Sequence, residues 1–221
     1  MDQMRDHERF EMLVLDVLNS ARLLDPLIFG GGTMLRLCHG LDRYSVDLDF
    51  YLQANFSQSQ SDYLNQLGAE LGKRFRIMDQ AAKRNTLLVE VSSPDYPRRL
   101  KLEVNIQRMI QQVEQLIAWS PASTLQVLIN TVALSEMVWM KRDALLDRKE
   151  IRDAYDLEFL VRRGVDIPGT ADQKQAILKV LTGFRPVDYK VKLGSILDSG
   201  KRDYYVQQGF RILQNYLIDH L

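Results

Sequence analysis

Apolar positions change their period several times along the chain. Between residues 6 and 22 they recur at Phe10, Leu13, Val14, Val17 and Leu18, the spacing of one helical face. "PLIF" (26–29) is a short apolar run and reads as a strand. Thr33 to Leu41 predicts a short helix, with Met34, Leu35, Leu37 and Cys38 on its apolar side. "VDLDFYL" (46–52) then alternates apolar and polar with period two. Residues 56–75 open with serines suited to a cap and continue as a helix. Strands are expected again over 75–80, 85–93 and 99–107. The last two are separated by "SPDYPRR", whose two prolines mark a turn. This pattern predicts a sheet of about five strands with helices before and within it.

From Pro121 the texture changes. "TLQVLINTVALSEMVWMKRDALLDRKEIRDAYDLEFLVRRG" lacks strand punctuation and reads as helical throughout; "VDIPGT" (165–170) breaks it, and 171–221 reads as two or three more helices. The expected fold class is therefore α+β. A small mixed sheet with flanking helices occupies residues 1–115, and a C-terminal helical domain follows over 116–221.

Composition narrows the function classes. Of 221 residues 46% are hydrophobic, enough for a packed core. Lys+Arg 29 balance Asp+Glu 29, so no global positive field draws in nucleic acid, and contact with RNA or nucleotide must rely on a local basic patch. Cys38 is the only cysteine, which excludes a disulfide within the chain. With only His7, His39 and His220 beside it, no Cys/His zinc site can be built. The N-terminal stretch has no signal-peptide core and no run approaches a membrane span, so the expectation is a reducing cytoplasm and no membrane.

The candidate chemistry starts at Asp47 and Asp49. In a strand, residues two apart share a face, so the two carboxylates point the same way while Val46, Leu48 and Phe50 point the other. Like charges this close raise each other's pKa unless a cation joins them. Mg²⁺ suits that position, because it takes oxygen ligands and commonly uses one or two carboxylates plus substrate phosphates. The alternative is a solvated strand edge. Glu103, in the alternating "KLEVNI", lies on the same face as Lys101 and Asn105. If that strand pairs beside 46–52, Asp47, Asp49 and Glu103 converge as a cage for one or two metals.

Gly30, Gly31 and Gly32 separate a strand from a helix. Glycine permits positive φ and close approach of backbone to a ligand, and the first amides of a helix favour an anion. Thr33 is placed to cap that helix and to offer its hydroxyl to a phosphate. The turn is neither a Walker loop nor a G-x-G-x-x-G turn. A loop that merely needs flexibility would look the same.

A glycine turn, a short helix and a strand bearing Asp-x-Asp together resemble the DNA polymerase β-type nucleotidyltransferases. Gly31, Gly32 and Thr33 match the first part of their signature, Asp47 and Asp49 the acid pair, and Glu103 the third acid. More narrowly, "GGTMLRL…DRYSVDLDF" followed by "KRDALLDRKEIRDAYDL" resembles the AbiEii/AbiGii-type nucleotidyltransferases over about residues 30–160. These are commonly the toxin halves of toxin–antitoxin or phage-defence systems. The resemblance implies Mg²⁺, an NTP as donor, and a separate antitoxin protein. It also implies that Lys141 acts in the active-site cleft, holding the triphosphate. "RDAYDL" (152–157) matches a further motif.

With 133–160 taken as one helix, Lys141 and Arg148 fall inside the apolar arc with Arg152 at its edge. A buried cation needs an anion, and a triphosphate or a metal-site carboxylate would serve; snorkelling of long side chains is the alternative. Asp153 and Asp156 are candidates to orient these cations, Asp156 lying nearer the apolar arc. A purely structural Arg–Asp brace fits equally well. Trp139 reads as a packing anchor, Cys38 as core, and Arg162, Arg163, Lys201 and Arg202 as solvated surface.

The expected function is transfer of an NMP from an NTP to a hydroxyl. Asp47, Asp49 and Glu103 hold metal, Gly31, Gly32 and Thr33 cradle phosphate, and Lys141 and Arg148 clamp it. The resemblance suggests the tRNA 3′ end as acceptor, and a protein hydroxyl stays open. The competing readings are a nucleotidyltransferase acting on a small molecule such as an aminoglycoside, and an inactive relative that only binds a partner.

Overall fold

The computed structural model describes residues 2–221. It divides into two compact units. One runs up to Gly40 and resumes over Tyr44–Ala133; the other comprises Leu41–Arg43 and Leu134–Leu221.

The first unit holds one sheet, formed by β1 (Leu27–Gly30), β2 (Asp47–Leu52), β3 (Arg76–Ala82), β4 (Thr86–Ser92), β5 (Leu100–Asn105), β6 (Val113–Trp119) and β7 (Gln126–Val132). Their order is β3-β4-β5-β2-β1-β7-β6. The sheet is mixed: β2 runs parallel to β5 and β1 parallel to β7, while the remaining neighbours are antiparallel. Alternation sets its two faces. Leu48, Phe50 and Leu52 of β2 are buried with Leu100, Leu102 and Val104 of β5. The Phe50 ring stacks on Phe29 with centroids 5.0 Å apart, an arrangement that adds about 0.5–1.5 kcal/mol to the burial itself.

Three helices belong to this unit: α1 (Asp2–Ser20), α2 (Gly31–His39) and α3 (Gln60–Gly72). α1 packs against β5 and β7, and α3 against β3 and β4. α1 buries Phe10, Val14, Leu15 and Leu18, and with them three ionisable groups, His7, Glu8 and Glu11. Glu8 accepts from Arg36 and from the Ser120 hydroxyl. Burial, reinforced by Glu8 nearby, holds the Glu11 carboxyl well above the usual carboxylate range. Burial likewise lowers His7, whose Nε2 lies 2.9 Å from the Val46 carbonyl oxygen. A carbonyl only accepts, so the neutral ring carries its proton on Nε2.

The sheet has two strands more than the five expected. β6 and β7 form a hairpin from Val113↔Val132 to Trp119↔Gln126, joined to β1 by the parallel pair Phe29↔Thr131. Val127, Ile129 and Thr131 do alternate inward, but Leu128 is 54% exposed on the wet side and blurs the period. β7 then runs into a helix with no glycine or proline between them. The first unit consequently ends at Ala133, and the expected boundary at 115/116 falls inside β6.

The second unit is helical: α4 (Leu134–Arg148), α5 (Ile151–Arg162), α6 (Ala171–Thr182), α7 (Ser199–Gln208) and α8 (Arg211–Asp219), with a π-helical turn at Asp188–Leu193. The single helix expected over 133–160 is two. Lys149 adopts φ +54 and Glu150 an extended conformation, which ends α4 and starts α5. The expected break at 165–170 is present, and Thr170 and Gln173 form a capping box on α6. Glu158 is fully buried and ties three helices together. It accepts from Tyr205 Oη at 2.7 Å, from the Leu213 amide at 3.0 Å and from Arg162 at 3.1 Å.

Several surface expectations change. Trp139 is 47% exposed with the Arg142 guanidinium over its ring, so it is not a packing anchor. Lys201 pairs with Asp42, and Arg163 lies over the Phe159 ring. Cys38 is partly buried, which pushes its thiol up to about 12.

Candidate active site

β2 and β5 carry the acids, and their parallel register decides whether those acids meet. Asp47 pairs with Lys101, Asp49 with Glu103, and Tyr51 with Asn105. Directly paired residues in a ladder point to the same face. Asp47, Asp49 and Glu103 therefore share the polar face, opposite Leu48, Phe50, Leu102 and Val104. The pairing expected for Glu103 is present.

The glycine turn reaches the same point from the other side. β1 is antiparallel to β2 with Gly30 opposite Asp49, so Gly30, Asp49 and Glu103 form one row across three strands. Gly31 adopts φ +73, and a Cβ there would lie 2.1 Å from Asp49 Oδ2. A Cβ on Gly30 would meet the Tyr51 ring at 2.6 Å. The turn is glycine because the backbone runs against the Asp49 carboxylate with no room for a side chain. Gly30 precedes α2 as its cap, Gly31 and Gly32 form its first turn, and no acidic residue lies there.

Thr33 departs from expectation. It lies inside α2 rather than at its cap, is fully buried, and donates its hydroxyl to the Asp47 backbone oxygen at 2.6 Å. That proton holds α2 to β2 and is not presented to a phosphate.

Lys101 was visible in the sequence only as a neighbour of Glu103 on the same face. Its Nζ lies 3.4 Å from Glu103 Oε1 and 3.8 Å from Asp47 Oδ2, with all three side chains about one third exposed. Burial alone would lower this ammonium, but Asp47 and Glu103 outweigh it and hold Lys101 above its usual value. It supplies the positive charge that the repelling acids require.

The donor set is of hard oxygens, which fits Mg²⁺ chemically. Among the described residues no three acid, imidazole or thiol side chains close around one point. The ammonium of Lys101 bridges Asp47 and Glu103 instead. Asp47 and Asp49 on one face remain the carboxylate pair that Mg²⁺ uses together with substrate phosphates.

Cations and acids expected from 141–156 form a cluster within the helical unit. Asp156, fully buried, accepts from Arg43 Nε at 2.6 Å and Arg43 Nη2 at 2.7 Å, and its Oδ2 lies 2.6 Å from Lys141 Nζ. Asp153, also fully buried, accepts from Arg148 Nε and Nη2 at 2.7 Å each and lies 3.9 Å from Lys141. Burial by itself would raise Asp156, but Arg43 and Lys141 prevail and hold its carboxyl below the usual range. The four expected residues Lys141, Arg148, Asp153 and Asp156 thus brace α4 against α5. Arg152 is exposed and takes no part. Arg43, the bidentate partner that completes the network, lies 113 positions from Asp156, beyond the reach of any helical wheel.

A mixed sheet with a glycine turn, an adjoining strand bearing two same-face aspartates and a third acid on its parallel neighbour has the build of a nucleotidyltransferase. The family model described as "Nucleotidyl transferase AbiEii toxin, Type IV TA system" matches residues 13–200, and the chain belongs to that family. It is accordingly a toxin nucleotidyltransferase, and a type IV toxin–antitoxin system supplies a separate antitoxin protein. No curated protein matches the chain. Among solved structures, JHP933 from Helicobacter pylori superposes with TM-score 0.61 at 18% identity, covering 100% of this chain and 95% of that one. A second Helicobacter pylori structure gives TM-score 0.61 at 19% identity, covering 100% and 99%. MenT4, the nucleotidyltransferase toxin Rv2826c of Mycobacterium tuberculosis H37Rv, gives 0.48 at 19% identity, covering 95% and 88%. The two Helicobacter pylori structures show the mixed α/β fold. Among the described residues no helix is long and apolar enough to cross a membrane.

Proposed function

We propose that the polar face around Asp47, Asp49 and Glu103 transfers an NMP from an NTP to the 3′-terminal hydroxyl of tRNA in the cytoplasm. The observation that carries this reading is the row Gly30–Asp49–Glu103, which sets the glycine turn, the acid pair and the third acid side by side across β1, β2 and β5. Asp47 and Asp49 would hold Mg²⁺, which supplies Lewis-acid stabilisation to the attacking and leaving oxygens when bound. The first turn of α2, free of acidic side chains, offers amides and the positive end of its dipole to the triphosphate. Glu103, on the far side of Asp49 from the turn, would take the proton of the attacking hydroxyl. That oxygen forms a bond to the α-phosphorus, the bond to the bridging oxygen breaks, and pyrophosphate leaves with the electron pair.

The test is incubation with each labelled NTP and total tRNA, a protein extract or a drug panel, for wild type and Asp49→Ala. Label is expected on tRNA 3′ ends with wild type only. Label confined to a small molecule, or equal labelling by Asp49→Ala, defeats the proposal.

A further inference from the structure

A second polar site adjoins Asp47, across β2 from the glycine turn. The turn follows β1, whereas β5 and β4 lie on the other side of β2. There a cavity of about 520 Å³ is lined by His7, Asp47, Glu90, Arg98, Arg99 and Lys101, among others. It falls within the usual size of a small-ligand site, and apart from Asp47 none of these lining residues has a part in the transfer just described.

Its charge is lopsided. Arg98, Arg99 and Lys101 are permanent cations, against the acids Asp47 and Glu90, and burial keeps His7 neutral. Arg99 donates to Glu90 at 3.1 Å. Arg98 donates to the Met4 sulfur at 3.1 Å, a weak acceptor, and no carboxylate among the described residues pairs with it. Two adjacent guanidiniums lining one cavity fit the oxygens of a phosphate.

Lys101 links this cavity to the acids. It is held by Asp47, a carboxylate that would contact the divalent cation, and by Glu103. A doubly charged ion at Asp47 would repel an ammonium 3.8 Å from that carboxylate. The flexible lysine stem allows the head to turn towards the cavity it already lines. We propose that Arg98, Arg99 and Lys101 form a binding subsite for a phosphate oxyanion. In this subsite Lys101 passes from the acids to the phosphate as the metal site fills; this exchange rests on the Mg²⁺ reading above, while the subsite itself does not. The phosphate comes either from the nucleotide or from the backbone of the acceptor strand. The position across β2 from the glycine turn favours the acceptor.

Calorimetric titration of the full chain with inorganic pyrophosphate tests the subsite. Arg98→Gln/Arg99→Gln, at exposed positions, is expected to keep the wild-type melting temperature and to weaken pyrophosphate at least about tenfold, the scale of a lost charge-assisted hydrogen bond. Unchanged affinity overturns the subsite. Parallel titrations with NTP and with tRNA identify the source by which of the two weakens; if neither weakens, the subsite is again overturned. Manganese binding, read by electron paramagnetic resonance without any anion, tests the exchange. Lys101→Met should bind Mn²⁺ several-fold more tightly, because its competitor is gone; equal or weaker binding overturns the exchange. A wild type that binds no Mn²⁺ sinks the metal reading and the exchange with it, while the pyrophosphate comparison still decides the subsite.

Discussion

The two units each carry a cluster of aspartates with a lysine, and the clusters differ in one respect that matters. Around Lys101 the acids are about one third exposed and the ammonium stands 3.4 and 3.8 Å from its partners. Around Lys141 the aspartates are fully buried, and Asp156 is met by one lysine and a bidentate arginine at 2.6–2.7 Å. The first cluster keeps carboxylate capacity that water or a ligand can reach. The second has spent its capacity internally, since a buried charge persists only when paired. Acid spacing in sequence does not separate solvent-facing carboxylates from internally paired ones; accessibility and the identity of the partner do.

Mutation of each cluster should therefore fail in a different currency. Asp49→Ala should leave the melting temperature nearly unchanged and lower NMP transfer by about 10³-fold or more, the scale of several kcal/mol of lost metal-assisted stabilisation. Unfolding of this variant would erase the contrast. Asp156→Ala should destabilise by about 3–5 kcal/mol, as one acid removed strands two buried cations, and chemical denaturation measures it. The same carboxylate predicts a pH effect. Its folded pKa is depressed below the ordinary 3.8, so its contribution is present above that value and lost as pH falls through the folded one. Stability should drop below about pH 4, and Asp156→Asn should flatten that limb.

Gly31→Ala should cost about 1–3 kcal/mol from φ +73 alone. By pushing the Asp49 carboxylate aside it should also cut kcat/KM about 10²-fold, the expected penalty for a misplaced group. Thr33→Val is the smallest effect and sharpens the comparison most finely. Loss of its bond to the Asp47 carbonyl should cost about 1 kcal/mol with KM for NTP unchanged. A tenfold rise in KM would instead restore Thr33 as a phosphate ligand.

Much of the first cluster was legible because period two is a local rule: Asp47 and Asp49 share a face in any strand, and "KLEVNI" declares its polar face by itself. That Glu103 sits beside Asp49 required the parallel register, which adjacency in sequence does not encode. In the second cluster Lys141 and Asp156 are buried as the helical wheel expects, whereas Arg148, expected in the apolar arc, is 47% exposed, because the wheel assumes an unbroken helix. Lys149, in the left-handed region without being glycine, breaks it silently, and Arg148 and Asp153 shift angle as a result. β7 reads as helix in the sequence because Leu128 spoils its alternation and no turn residue precedes α4. Thr33 reads as a cap in the sequence because nothing there shows that α2 already begins at Gly31.

Leu41–Arg43 leave the sheet unit for three residues and return at Tyr44. The backbone thus crosses between units three times, so the sheet unit is not a detachable module. A fragment cut after Ala133 would still carry Arg43 while lacking Asp156, leaving a guanidinium stripped of its counter-ion. Work on this toxin's sheet unit in isolation should begin by replacing that arginine.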